Sequence, residues 1–198
     1  MIIKRMTDII LALLVLLFLS PLLVVIYLVI FFNLGSPVFF IQDRVGKNNK
    51  VFKMIKFRTM KNLFDKDGKE LPDSMRLTKL GKVLRSLSID ELPELFNVIK
   101  GDMSLVGPRP LLVQYLPKYS MKQMRRHEVL PGLTGVAQIN GRNSLTWTSK
   151  FEMDIWYVDN WSVWLDIKIL FKTILTVIKR DGINQSESIT MEYFNGSN

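Results

Sequence analysis

The strongest constraint on this 198-residue chain is Ile9–Phe32, a run of 24 residues that carries no charge and is apolar almost throughout. As a straight helix it would extend about 36 Å at about 1.5 Å per residue, enough for a hydrocarbon core of about 30 Å. A secretory leader is disfavoured, because the run is long and no small-residue cleavage site follows it. The segment therefore enters a bilayer. Ser20-Pro21 sits near its middle, where Pro21 lacks a backbone donor and crowds the carbonyl of Leu17; this predicts a kink or break. The Ser20 hydroxyl is placed to cover the freed carbonyl. Lys4 and Arg5 precede the run, and Arg44 and Lys47 follow it, so the positive-inside tendency puts both flanks on the cytoplasmic side. After Phe32 come 25 basic and 17 acidic residues, a balance of +8 that also favours the anionic inner leaflet. A re-entrant helix–break–helix satisfies all of these features. A bitopic anchor with a tolerated proline is the alternative.

The whole chain carries a net charge of +9 from 27 basic and 18 acidic residues, which calls for anionic partners: nucleic acid, acidic lipid or phosphorylated substrates. No cysteine is present, so thiol catalysis, disulfides and cysteine zinc sites are excluded. The single histidine, His127, lies in Met124-Arg-Arg-His-Glu128, where neighbouring cations disfavour its protonated form; it reads as a surface or packing residue. Carboxylates are the remaining candidates for chemistry. No P-loop or dinucleotide glycine motif supports an ATP or NAD reading.

The stretch RSLSIDELPELFNVIKGDMSLVGPRP, residues 85–110, places two adjacent acids, Asp90 and Glu91, where a helix is expected to start. Ser88 and Glu91 have the spacing of a capping box, and Pro93 fits a first helical turn. Leu92, Leu95, Phe96 and Ile99 form a buried face, and Lys100-Gly101 a stop. The acids then lie at the positive end of the helix dipole, which favours carboxylate and also attracts phosphate, although capping alone also selects acids there. Arg109 is held between two prolines and can present its fork to a phosphate.

Elsewhere, residues 38–41 and 51–59 read as strands of a hairpin around Gly46-Lys-Asn-Asn49, with Lys56 and Arg58 on one face. Residues 62–74 read as a polar loop. Residues 76–87 form an amphipathic helix with leucines on one side and Lys79, Lys82 and Arg85 on the other. Short helices are expected over 111–119 and 120–129, and loops at Pro131-Gly-Leu-Thr-Gly135 and Asn140-Gly-Arg142, whose glycines permit close approach and whose arginine suits a phosphate or a base. Trp147, Trp156, Trp161 and Trp164 cluster with Phe151 and Tyr157, either as buried packing or as an interfacial belt. Residues 162–179 form an amphipathic helix that packs on the domain or lies in the membrane plane. Gly182 onward is polar and reads as a loosely held tail.

The segment SLSIDELPELFNVIKGDMSLVGPRP resembles the signature of the bacterial polyprenyl-phosphate sugar-phosphate transferases, the monotopic phosphoglycosyl transferases. The resemblance continues through KFRTM (56–60), PGLTG (131–135), QINGR (138–142) and LDIKIL (165–170). It implies an α/β fold, mostly helical with a small β-hairpin. Residues 1–33 would form a re-entrant membrane helix with its break at Ser20 and Pro21. Residues 34–183 would form a compact cytoplasmic catalytic domain with amphipathic interfacial helices, and 184–198 a polar tail. It implies transfer of a sugar-1-phosphate from a UDP-sugar to undecaprenyl phosphate, with release of UMP; the small size resembles minimal members that include users of N-acetylated amino sugars, with N-acetylglucosamine, N-acetylgalactosamine and galactose all open. Asp90 would be the nucleophile and a ligand of Mg²⁺, and Glu91 its catalytic partner. Lys56, Arg58, Arg85, Pro108, Arg109 and Pro110 would serve substrate phosphate, and Gln138, Asn140, Gly141 and Arg142 the nucleotide. Asp154 would support the site. The implied location is the cytoplasmic face of the bacterial inner membrane, beside anionic lipids and downstream glycosyltransferases, with no nucleic acid partner and an open oligomeric state. The rival is a non-enzymatic, membrane-anchored basic module that grips acidic lipid or polyanions.

Overall fold

The computed structural model describes residues 2–141, 144–179 and 193–196. The first element is α1, Ile2–Leu34, a 33-residue helix with Pro21 inside it. Helical backbone continues through the proline, so the expected pair of helices separated by a break is instead one helical run. The cost of Pro21 is met locally. Ser20 Oγ donates to the Leu17 carbonyl at 2.8 Å, covering the acceptor that the missing proline N–H leaves bare.

Next come β1 (Phe39–Val45) and β2 (Val51–Phe57), an antiparallel hairpin pairing Phe39 with Phe57 and Val45 with Val51. Its turn, residues 47–49, has Asn48 and Asn49 at positive φ, a conformation asparagine tolerates better than most residues. Then follow α2 (Asp73–Arg76) and α3 (Lys79–Ser86), the latter capped by Thr78, whose hydroxyl accepts from the Gly81 N–H. The chain continues through α4 (Glu94–Lys100), β3 (Ser104–Val106), α5 (Met121–Met124), β4 (Gly132–Thr134), α6 (Val136–Ile139), α7 (Trp147–Asn160) and α8 (Val163–Lys179). Strand β4 falls within a segment expected to be loop and pairs in parallel with β3.

The core is built around α4. Leu95 and Val98 pack with Phe52 and Met54 of β2, Leu105 and Val106 of β3, Tyr157 of α7 and Ile169 of α8. Asn97 is fully buried and ties α4 to the hairpin: its side chain accepts from the Ile55 N–H at 3.1 Å and donates to the Lys53 carbonyl at 2.7 Å. Phe96, expected on the buried face, is 52 % exposed, because the buried face of α4 runs through Glu94, Leu95, Asn97 and Val98 and is rotated away from it.

Both ends of α1 dock on this body. At its start, Lys4 Nζ lies 2.5 Å from Asp166 Oδ2, and the Arg5 guanidinium donates to the Val98 and Ile99 carbonyls at the C-terminus of α4. That end of a helix favours a cation. Asp8, also buried, accepts from Ser104 Oγ and the Leu105 N–H. At its other end, Ile26 and Ile30 pack against Val38, Phe57 and Leu84. The first attachment extends through Leu11, fully buried Ala12 and Leu16, which pack on the core; just beyond it Leu17 and Phe18 are 69 % and 79 % exposed.

Two further expectations change. The tryptophans split: Trp147 is buried beside Phe151, whereas Trp156 and Trp164 are exposed. Within the segment read as a polar tail, Phe194 is buried among Tyr115, Tyr119, Trp147 and Phe151, and its carbonyl accepts from Lys118 Nζ.

Candidate active site

Asp90 and Glu91 lie in a single 3₁₀ turn, Ile89–Glu91, which runs on through right-handed Leu92 and Pro93 into α4. The capping box does not form. Ser88 is left-handed, with φ 55° and ψ 21°, and makes no capping hydrogen bond. The acids therefore precede the helix proper. They are aimed by a tight bend rather than by a cap.

Three segments converge on this turn. Lys56, near the end of β2, puts its ammonium 2.8 Å from Glu91 Oε1 and 3.1 Å from Glu94 Oε1. Arg109 donates to both Glu91 oxygens, the closer contact being 2.5 Å. Burial works to raise the Glu91 pKa, but Arg109 and Lys56 outweigh it and hold the carboxyl well below the usual range. Glu91 is thus a fixed anion. Asp90 is different: it is buried, accepts no hydrogen bond among the described residues, and has its pKa pushed up by burial and then by Glu91, while Lys56, Arg85 and Arg109 pull it back. A carboxylate with unengaged lone pairs in a field of three cations has the chemistry to act as a nucleophile or to take a metal ion.

Arg85 faces the same pocket from α3, steadied by a 3.0 Å bond from its Nε to Thr59 Oγ1. The Gly107-Pro-Arg-Pro110 loop is located by backbone packing. A side chain on Gly132 would put Cβ 2.0 Å from the Gly107 nitrogen, so the glycine of PGLTG serves the seat of the arginine loop rather than a ligand. Behind that loop, Asp154 of α7 pairs with Arg126 at 2.8 Å, both almost wholly buried, and Arg126 also donates to the Arg109 carbonyl at 2.6 Å. Asp154 therefore reaches the site through Arg126. His127, beside it, is buried; burial first and then Arg126 lower its pKa to about 4, so it is a neutral packing residue.

Arg58 does not join the cluster. Its guanidinium donates to the carbonyls of Leu34, Gly35 and Ser36, closing the C-terminus of α1. Beyond Phe57 the chain leaves the strand, and the alternation that put Lys56 and Arg58 on one face no longer governs. Gln138 and Asn140 make no hydrogen bond or ion pair with the acids among the described residues. Asn140 bonds back to the Val136 carbonyl, Gly141 sits at φ 144°, and the Gln138 carboxamide is enclosed without a partner beside Gly135. Arg142 lies outside the described residues. Two groups near the acids carried no sequence signal of a role in the site: Arg44, whose pKa burial and then Arg109 lower to about 10, and Glu94, which burial raises to about 7; nor did Lys150, beside Arg109 and Asp154, whose pKa burial and then Arg109 lower to about 8.

The profile of the bacterial sugar transferase family matches residues 1–180. The chain belongs to that family. An uncharacterized sugar transferase of Bacillus subtilis, EpsL, is 54 % identical over 197 residues, covering 100 % of this chain and 98 % of that protein. The UDP-glucose:undecaprenyl-phosphate glucose-1-phosphate transferase of Klebsiella pneumoniae is 44 % identical over 185 residues, 88 % of this chain and 40 % of its own. The UDP-N-acetylgalactosamine-undecaprenyl-phosphate N-acetylgalactosaminephosphotransferase of Aeromonas hydrophila is 41 % identical over 184 residues, 89 % of this chain and 44 % of its own. The chain thus spans about two fifths of these two longer family members, and the acid turn, Lys56 and the arginine loop all fall within the family match.

Proposed function

We propose that this sugar transferase moves a sugar-1-phosphate from a UDP-sugar to undecaprenyl phosphate, releasing UMP and opening the assembly of a membrane-linked glycan. The observation that carries this reading is the unpaired Asp90 carboxylate set among Lys56, Arg85 and Arg109, beside a Glu91 already paired. Asp90 attacks the sugar-side phosphorus of the UDP-sugar. The P–O bond to UMP breaks, UMP leaves with the electron pair, and a phosphosugar remains on Asp90. An oxygen of undecaprenyl phosphate then attacks the same phosphorus and returns the electron pair to Asp90. Lys56, Arg85 and Arg109 balance the charge of the phosphates, and Glu91 orients the two cations it binds. Division into two half-reactions spares the pocket from holding two mutually repelling phosphate groups together, which predicts ping-pong kinetics.

The donor set suits Mg²⁺. This ion is commonly held by one or two carboxylates plus substrate phosphate oxygens, and Asp90 is the carboxylate with free lone pairs. Bound there, Mg²⁺ would neutralise diphosphate charge. The enclosed, unpartnered Gln138 carboxamide beside Gly135 supports a nucleotide subsite near the arginine loop. Relatives are named for glucose and for N-acetylgalactosamine; among such donors we favour an N-acetylated amino sugar.

The two attachments of α1 support a membrane placement for the helix. With Lys4 and Arg5 locked to the same body that receives Ile26 and Ile30, the start of the helix lies on the domain side of the bilayer. That supports a re-entrant, monotopic helix over a bitopic one, with the domain at the anionic cytoplasmic leaflet. The exposed residues Trp164, Ile167 and Phe171 of α8 support an interfacial helix.

The test is UMP release by solubilised protein with undecaprenyl phosphate, Mg²⁺ and a panel of UDP-sugars. The expected outcome is UMP from one or two donors, and loss by at least a thousandfold in Asp90→Asn, because the nucleophile is gone. UMP from no donor in folded protein would instead favour a basic, membrane-anchored binding module.

A further inference from the structure

Arg44 is the group that the proposed chemistry leaves unused. It lies at the end of β1, where the hairpin meets the chain just after the arginine loop: Val45 donates to the Leu111 carbonyl at 3.2 Å, and Arg44 bridges to Leu112. Its side chain turns to the same loop, with Nη1 3.4 Å from the Pro110 carbonyl and Nη2 2.6 Å from Gln42 Oε1. Both partners are neutral. Nε is enclosed and without a partner. The carboxylates close enough to act on it electrostatically, Glu91 and Glu94, are engaged by Lys56 and Arg109, and Arg44 forms no ion pair among the described residues.

A guanidinium drawn from water with no counter-ion, in the field of a second guanidinium, is unfavourable in the empty protein. Mutual repulsion of Arg44 and Arg109 adds to burial, and both act in the same direction on Arg44. An anion between the two forks removes this penalty and gains charge-assisted hydrogen bonds to a planar donor on either side. A hydrophobic or neutral ligand would not.

We propose that Arg44 and Arg109 form the two walls of an anion subsite over Pro110, which takes a phosphate oxygen of the transferase substrates. This deepens the transferase reading and rests on it. The shared chemistry is a phosphoryl group, either the diphosphate of the nucleotide donor or the phosphate of the carrier lipid. Gln42, two residues along the same strand face, fixes one end of the Arg44 fork with a neutral acceptor and leaves its charge unbalanced.

The test uses the full chain in detergent or lipid nanodiscs, with UDP, pyrophosphate and undecaprenyl phosphate as separate probes of thermal protection. Wild type should be stabilised by UDP and pyrophosphate if the donor fills the subsite, or by undecaprenyl phosphate alone if the carrier does. Arg44→Gln should weaken the responding probe at least tenfold, and Arg44→Lys should recover part of the loss. Gln42→Glu supplies an internal anion without deleting the arginine. It should raise the melting temperature of the free protein and weaken the same probe by severalfold, so the proposal stays testable if Arg44→Gln fails to fold. Wild type that responds to a probe, with affinity unchanged in Gln42→Glu or in folded Arg44→Gln, overturns the subsite. Wild type that responds to none overturns the transferase reading as well.

Discussion

At the residue scale, the acids of one turn have three fates. Glu91 is clamped between Lys56 and Arg109, Asp90 is left without a partner, and Glu94, a turn further on, is almost fully buried against one ammonium. Burial raises Glu94 to about 7 from a reference of 4.5, so the folded protein holds this proton more tightly than the unfolded chain. Stability from this group is therefore present below about pH 4.5 and is lost as pH rises toward 7. Glu94→Gln keeps the shape and removes the titration. Its melting temperature relative to wild type should climb between pH 5 and 7.5, measured by thermal unfolding at several pH values; a constant difference would refute the assignment. The importance of Glu94 was not visible in the sequence, because a glutamate at the start of a helix carries no mark of what a distant strand brings to it. Arg44 was hidden for the same reason. Among the flanking cations of a membrane segment it has nothing to distinguish it until β1 meets residues 110–112.

At the element scale, local patterning read the hairpin and the amphipathic α8, since each follows from a period of two or of three to four residues, whereas it expected a break at Pro21 in the apolar run of α1, which instead continues as one helix. It misread the start of α4, where Ser88 takes left-handed backbone in place of a cap, and it missed β4, only three residues long and paired to a strand 28 positions earlier. The placement of α3 depends on Gly81. A Cβ there would stand 2.0 Å from the Thr59 carbonyl oxygen, backbone that cannot swing aside. Gly81→Ala should push α3 off the strand end, break the Arg85–Thr59 bond and lower UMP release at least tenfold; overpacking of this kind also costs about 1–3 kcal/mol of stability. Activity at the wild-type level in this variant would show that α3 does not place Arg85 for catalysis.

At the scale of the whole molecule, the acid–proline signature disclosed the centre of the site, but the attachment of α1 at both ends had to be seen in three dimensions. Lys4 and Arg5 read as flanking charges and Asp8 drew no reading, yet each is engaged by α4, β3 or α8. The chain has no native cysteine, so single cysteines report topology cleanly. Ile2→Cys and Asp67→Cys should react with a membrane-impermeant maleimide from the same side of sealed vesicles. Labelling from opposite sides would require a helix that crosses. Lys56 and Arg58 carry the last consequence. One lies in the acid cluster and the other grips the exit of α1, two positions and about 7 Å of extended backbone apart. On the proposed membrane placement, this link would tether the acid cluster a short height above the hydrocarbon boundary. A carrier phosphate would then reach it without being lifted out of the headgroup layer. For such an enzyme the encounter with lipid is a search in two dimensions: its rate follows the number of carrier molecules per unit area of membrane, not their amount per volume of suspension.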